Sequence, residues 1–269
     1  MMFSLAGLWQ LSPLTDLTIP QNDLSFPGPL SQCLPDNLSE DAISEQEWHL
    51  MHDIEVDEAF LSYPAIDLII EGVDYYAEVR LNGFALFDCD QNQSVYRKDI
   101  SSLLNLGRNR FEVLFLNNDE DELLIDDDSD SDDACLLGDL SYQPYDKRMG
   151  IWKEPYLQCL KHVRLTHIST EQVWHYGGGC ELLVKLHFDL LKAGLISARV
   201  KFDGRTYSVP LDMMKRESSA LFQIDAPVTC DGCNDCADCT YELDIELDGL
   251  THQILLPLSI ENRVSHFPI

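Results

Sequence analysis

The sequence contains a run of cysteines whose regular spacing suits metal binding: Cys230, Cys233, Cys236 and Cys239. Four thiolates match the ligand count of a structural zinc site or of an iron–sulfur cluster, and the aspartates between them favour a divalent cation. The spacing is close to the bacterial ferredoxin run without matching it. We therefore expect these cysteines to hold Zn²⁺ as a structural clip, with free thiols in an exposed loop and an iron–sulfur cluster as open alternatives.

A second stretch with the chemistry for cation binding is residues 118–133, which carry ten acidic residues and no basic one. Aspartates alternate at positions 126, 128, 130 and 132, as they do in a calcium-binding loop. The stretch lacks the glycine at the sixth position and the glutamate at the twelfth position of such a loop. Repulsion between like charges instead predicts an extended, solvated loop.

Motifs for nucleophilic catalysis and phosphate binding are missing from the sequence. No serine lies in a Gly-x-Ser-x-Gly elbow. The glycine run 177–179 lacks the following lysine and hydroxyl residue of a phosphate-binding loop, so it is interpreted as a turn.

Charge and hydropathy exclude several classes of partner. The formal net charge of −29 repels the phosphate backbone of nucleic acids and an anionic membrane surface. Apolar runs such as residues 68–70 are far shorter than the roughly 20 residues that span a bilayer. The first residues do not resemble a secretion signal, and nine cysteines, an odd number, favour reduced thiols. We therefore expect a cytoplasmic protein without nucleic-acid or membrane partners.

Short strands, rather than long amphipathic helices, must position these residues. Apolar and polar residues alternate in runs that recur about every ten residues, which is typical of β-sandwiches. Asn82-Gly83 separates two such runs and predicts a hairpin with a type I′ turn, and Asp203-Gly204 and Asp248-Gly249 predict two more. The sequence therefore predicts an all-β protein.

The strand pattern restarts near residue 169, which predicts a first domain over 1–168, including the acidic loop 118–133, and a second over 169–269. Residues 154–168 have the alternation of one long or broken strand. Seven further strands are expected, near 172–176, 180–188, 196–202, 205–211, 219–225, 240–247 and 250–258. Seven short strands in about 100 residues are typical of an immunoglobulin-like β-sandwich.

Five segments of the first domain, in order, resemble the amino-terminal part of glycoside hydrolase family 2, and the β-mannosidase branch most of all. They are residues 5–11 (LAGLWQL), Trp48 with the strand-like 51–56, residues 68–83 (LIIEGVDYYAEVRLNG), residues 99–109 (DISSLLNLGRN) and residues 150–157 (GIWKEPYL). This resemblance implies a galactose-binding-like jelly-roll sandwich followed by an immunoglobulin-like β-sandwich.

The resemblance also carries an expectation about catalysis. In the family, the two catalytic glutamates lie in a (β/α)₈ barrel that follows the sandwich domains. The present 269 residues have no room for that barrel, so we expect a non-enzymatic relative, a β-mannosidase-like pseudoenzyme that binds a saccharide or a protein. Two alternatives stay open: the non-catalytic subunit of a split glycoside hydrolase acting on O-glycosyl bonds, and a structural protein with the four-cysteine metal clip.

Candidate saccharide contacts lie in the loop just before the last of the five segments. Tyr142, Tyr145 and Asp146 precede Trp152, and aromatic and acidic side chains in a loop are suited to stacking on sugar rings and bonding their hydroxyl groups. The simpler alternative is a surface loop without a ligand. The partners expected beside a saccharide are a separate barrel-type hydrolase, or a second copy of the chain that covers the sandwich surface where a barrel would dock.

Overall fold

A computed structural model of the chain describes residues 1–90, 93, 95–117, 147–212, 214–229, 240–260 and 263–268. The described part is built almost entirely from antiparallel strands, which confirms the all-β prediction. The chain divides into two compact units, Met2–Cys159 and Leu160–Ile269. Within the described ranges, none of the helices has the length and apolar content needed to cross a membrane.

In its described residues, the first unit contains short helices and thirteen strands, the last of which ends at its boundary. The helices are a 3-10 helix (Leu30–Cys33), α1 (Glu40–Ser44) and α2 (Glu58–Leu61). The strands are β1 (Met2–Ser4), β2 (Gly7–Pro13), β3 (Asn22–Phe26), β4 (Gly28–Pro29), β5 (Trp48–Val56), β6 (Ala65–Glu71), β7 (Val73–Asp74), β8 (Ala77–Leu81), β9 (Phe84–Cys89), β10 (Val95–Asp99), β11 (Gly107–Phe115), β12 (Gly150–Ile151) and β13 (Tyr156–Leu160).

These strands form three sheets around one apolar core. The strand orders are β3-β2-β5-β11-β8-β9, β1-β13-β6-β10 and β4-β12-β7. Trp9 and Trp48 are buried in the core, and their indole N–H groups donate to the carbonyl oxygens of Leu5 and Ile43, each at 2.9 Å. This two-layer arrangement is the galactose-binding-like jelly-roll sandwich expected from the sequence.

The described part of the second unit forms eight strands in two four-stranded sheets. The strands are β14 (Val163–Trp174), β15 (Cys180–Leu190), β16 (Ser197–Phe202), β17 (Arg205–Pro210), β18 (Glu217–Ile224), β19 (Thr240–Leu247), β20 (Leu250–Pro257) and β21 (Val264–Pro268). The sheets have the orders β18-β15-β14-β21 and β17-β16-β19-β20. Alternating residues of both sheets fill the core between them, as in an immunoglobulin-like sandwich.

The predicted turns agree with the structure, whereas the strands near residue 168 and at the carboxyl end differ from the prediction. Asn82-Gly83, Asp203-Gly204 and Asp248-Gly249 all have positive φ at both residues, which confirms the type I′ hairpins. Strand β14 instead crosses the expected domain boundary at 168/169, because a register shift between Leu165 and His167 breaks the alternation there. Strand β21 was not expected, since it is short and ends in proline.

Candidate functional site

The small three-stranded sheet of the first unit holds the candidate site. Gly150 pairs with Pro29 on one side and with Asp74 on the other. A Cβ at position 150 would lie 2.6 Å from the carbonyl oxygen of Gly28, so only glycine allows β4 and β12 to approach this closely. The close approach fixes the backbone that leads to Trp152, whose backbone N–H donates to the carbonyl oxygen of Gly72 at 2.8 Å.

The indole of Trp152 is half-buried and combines two binding features. The Arg148 guanidinium carbon lies 5.1 Å from its ring centroid, within the range of a cation–π interaction. The indole N–H is shielded from solvent and has no hydrogen-bond partner among the described residues. Buried donors are nearly always satisfied in folded proteins, so this N–H is suited to donating to a ligand oxygen.

Tyr75 and Lys147 hold the neighbouring backbone in an unusual conformation. Both have positive φ, 70° and 64°, although neither is glycine, and the Tyr75 hydroxyl donates to the carbonyl oxygen of Lys147 at 3.2 Å. Backbone of this kind is often found at binding sites, where the surrounding structure maintains it. Asp74, 1% exposed, lies directly before Tyr75. We call Asp74, Tyr75, Lys147, Arg148 and Trp152 the Trp152 corner.

A second polar cluster lies on one face of the sheet β1-β13-β6-β10. The Arg97 guanidinium donates to the fully buried Asp67 carboxylate at 2.6 Å and to the Gln158 side-chain oxygen at 3.0 Å. Beside them, Lys153 pairs with Glu71 at 2.5 Å. Burial, with the Glu71 carboxylate as a further cause, raises the pKa of the Tyr156 phenol to about 12. The Arg97 guanidinium thus neutralises the buried Asp67 carboxylate, so this pair has a structural role.

Only one of the predicted site residues falls in the described part of the chain. Trp152 lies in the corner, whereas the other saccharide candidates and the four clustered cysteines lie outside the described residues: Tyr142, Tyr145, Asp146, Cys230, Cys233, Cys236 and Cys239. In the remainder, no group of three or more histidines, cysteines or acidic residues is arranged to hold a metal ion. Cys33, Cys89 and Cys180 are free thiols, and burial raises the pKa of Cys33 and Cys159 to about 11.

Of the residues that sequence reasoning missed, Asp67 had a signal in the sequence, whereas Tyr75 and Arg148 did not. Asp67 interrupts the apolar run of β6, where a charge needs a partner. Tyr75 and Arg148 lie in segments that the sequence singled out, but their proximity depends on the pairing of β7 with β12, which sequence periodicity does not specify.

Comparison with known proteins shows a similarity of the first unit to one family of domains. Residues 31–153 match the family model described as the glycosyl hydrolase 2 galactose-binding domain-like domain. Over these residues the first unit is similar to that domain. The match ends one residue after Trp152, so the matched residues include the whole Trp152 corner. No curated protein matches the chain.

Solved structures share the fold of both units. A β-D-mannosidase from Dictyoglomus thermophilum superposes with a TM-score of 0.63 at 18% identity, over 95% of this chain and 36% of that one. A β-glucuronidase from Bifidobacterium dentium gives 0.62 at 13%, over 96% and 48%. A glycosyl hydrolase family 2 member from Bacteroides cellulosilyticus gives 0.60 at 13%, over 98% and 38%. The chain thus spans between about a third and a half of the length of these structures.

Proposed function

We propose that the two units form a non-catalytic, β-mannosidase-like binding module whose galactose-binding-like domain binds a saccharide at the Trp152 corner. The observation that carries this proposal is the shielded indole N–H of Trp152, which has no partner among the described residues and lies beside the Arg148 guanidinium. An aromatic ring with a few hydrogen-bond donors beside it is the kind of lining that suits a sugar ring and its hydroxyl oxygens.

The arrangement of carboxylates supports a binding role rather than hydrolysis. A retaining glycosidase needs two carboxyl groups about 5 Å apart, one acting as acid and base and the other as nucleophile. The buried carboxylates of the described residues, Asp67 and Asp74, lie on different sheets, and Asp67 is neutralised by Arg97. Among the described residues, no two buried carboxylates therefore share a sheet.

The resemblance of five sequence segments to the β-mannosidase branch makes a mannoside the first ligand to test. Titration calorimetry of the chain with mannosides and glucuronides should show binding that Trp152→Ala weakens at least about tenfold, or about 1.4 kcal/mol. Trp152→Phe keeps an aromatic ring and removes the N–H, so it should also weaken binding.

The matched control is Tyr176→Ala, which removes a fully exposed aromatic side chain from the second unit. Its affinity should equal that of the unmodified chain. Equal affinity in the folded Trp152 variants, or no binding by the folded unmodified chain, would contradict a saccharide site at the corner. Inhibitor-sensitive hydrolysis of nitrophenyl glycosides by the purified chain would contradict the non-catalytic role.

A further inference from the structure

Three of the eight histidines meet on the outer face of the sheet β18-β15-β14-β21. His167 on β14 is directly opposite His187 on β15, and His266 on β21 is opposite Ser169 of β14. The imidazole rings of His167 and His187 are stacked, with centroids 4.0 Å apart and planes 8° from parallel. The stack therefore joins two strands beside the edge strand β21.

A β-bulge produces this stack. Leu165 pairs with Phe188, and the register then shifts so that His167, rather than Thr166, is opposite His187. In a regular ladder the residues opposite each other share one face, so without the extra residue Thr166 would face His187 and His167 would point into the core. The Thr166 hydroxyl instead donates to the carbonyl oxygen of His187 at 2.9 Å.

One hydrogen bond and one contact with a carboxylate hold the His187 ring in place. Its Nε2 lies 3.0 Å from the Ser169 hydroxyl oxygen, and its Nδ1 lies 3.7 Å from a carboxylate oxygen of Glu217 on β18. Glu217 can thus compensate one positive charge on the pair. Two protonated rings in contact at this distance would repel each other, because one partly exposed carboxylate cannot balance both.

The other charged groups on this face lie mainly in pairs of their own. Lys185 is 3.7 Å from Glu171, and Arg216 is 3.5 Å from Asp189. The register places Arg164 opposite Asp189. The charged and titratable groups that face the stack are Arg164 and Glu171 on β14, Lys185 and Asp189 on β15, Arg216 and Glu217 at the start of β18, and His266 on β21.

We propose that the His167–His187 stack is a pH-sensitive element that holds β21 against β14 at neutral pH and weakens this pairing on acidification. Protonation of both rings separates them, and His266 adds a third imidazole at the edge strand. His167 itself pairs with Pro268 of β21, and among the described strands β21 pairs with β14 alone, so a displacement of His167 acts directly on the pairing of β21.

The direction of the His167 pKa agrees with this mechanism. Burial first, and then the neighbouring His187 and His266 rings, lower the pKa of His167 below its ordinary value of 6.5, and the opposing effect of Glu217 is smaller. The unfolded chain therefore binds more protons than the folded one. The stabilisation is fully present above about pH 6.5 and is lost as the pH falls through the lower pKa of the folded state.

Hydrogen exchange of the full chain, corrected for the intrinsic rate at each pH, tests the proposal. Between pH 7.5 and pH 5.0 the protection of β21 amides should fall at least about tenfold, the equivalent of one pKa unit. Amides of β16 and β19 in the other sheet should change less. His167→Phe keeps a stacked ring that cannot be protonated, so its β21 protection should not respond to pH.

His175→Gln is the matched control, because His175 is half-exposed in the same unit and lies outside the stack. It should lose protection on acidification as the unmodified chain does. An equal loss in His167→Phe, or no loss in the unmodified chain, would overturn the proposal. If His167→Phe does not fold, an NMR titration of the unmodified chain decides: a His167 midpoint below 6.5 supports the stack as the sensor, and one at or above 6.5 overturns it.

Discussion

The buried ion pair of the first unit gives the sharpest test of its packing. Core side chains Ile66, Leu68 and Ile70 alternate along β6 with Asp67, which places the carboxylate on the opposite face of the sheet. Its side chain is 1% exposed, and that of Arg97 is 16% exposed. Arg97→Met keeps the length of the side chain but leaves the carboxylate buried without a counter-ion.

Removing one partner of a buried pair costs about 3–5 kcal/mol, because the remaining charge is uncompensated. We expect a loss near the lower end of that range, since Arg97 has some access to water. Asp67→Asn should cost less, because Arg97 keeps its bond to Gln158. The double variant should be more stable than the sum of the two losses predicts, by at least about 1 kcal/mol.

Urea unfolding followed by tryptophan fluorescence measures these losses, because the buried Trp9 and Trp48 report on this unit. A stability of Arg97→Met within about 0.5 kcal/mol of the unmodified chain, the range of neutral surface changes, would refute this reasoning.

Three further changes test other parts of the molecule. In urea unfolding, Gly150→Ala should destabilise the first unit by about 1–3 kcal/mol, because its methyl group would lie 2.6 Å from the Gly28 oxygen. Gly83→Ala is the comparison: its methyl group has no neighbour within 4 Å, so any loss there comes from strain in the turn and not from a clash. Asp248→Asn should cost the second unit about 1–2 kcal/mol at pH 7. Burial opposes a lower pKa at Asp248, but hydrogen bonds from the His162 ring and from backbone N–H groups outweigh it and lower the pKa. In unfolding experiments, the stability difference between Asp248→Asn and the unmodified chain should therefore disappear as the pH falls below about 3.8. From the sequence we also expect one Zn²⁺ per chain at Cys230, Cys233, Cys236 and Cys239; elemental analysis without zinc and a melting temperature insensitive to chelator would contradict it.

The sequence was sufficient to predict the structure where a rule about neighbouring residues determines it. Asn-Gly and Asp-Gly placed three hairpins because few other dipeptides adopt positive φ at two successive residues. It was insufficient where one residue changes the register. Thr166 adds a bulge that no alternation pattern indicates, and with it the His167–His187 stack and the long strand β14.

The sequence identified one residue of the candidate site, and it missed the others because they come together only through strand pairing. Trp152 was identified from its type and its position in a family-like segment. The groups beside it come from contacts across strands: Arg148 above its ring, and Tyr75 bonded to the Lys147 carbonyl. These contacts depend on the close approach of β4, β12 and β7, which only the folded structure defines.

The most direct test of a saccharide site at the Trp152 corner is an NMR titration of the indole N–H signals with a mannoside. The other three tryptophans provide internal controls, because their indole N–H groups donate to backbone oxygens of Leu5, Ile43 and Ser259. The Trp152 signal, assigned through Trp152→Phe, should shift in a saturable manner while the other three stay in place. A Trp152 signal that does not move at saturating ligand, or a shift confined to another tryptophan, would contradict binding at this corner.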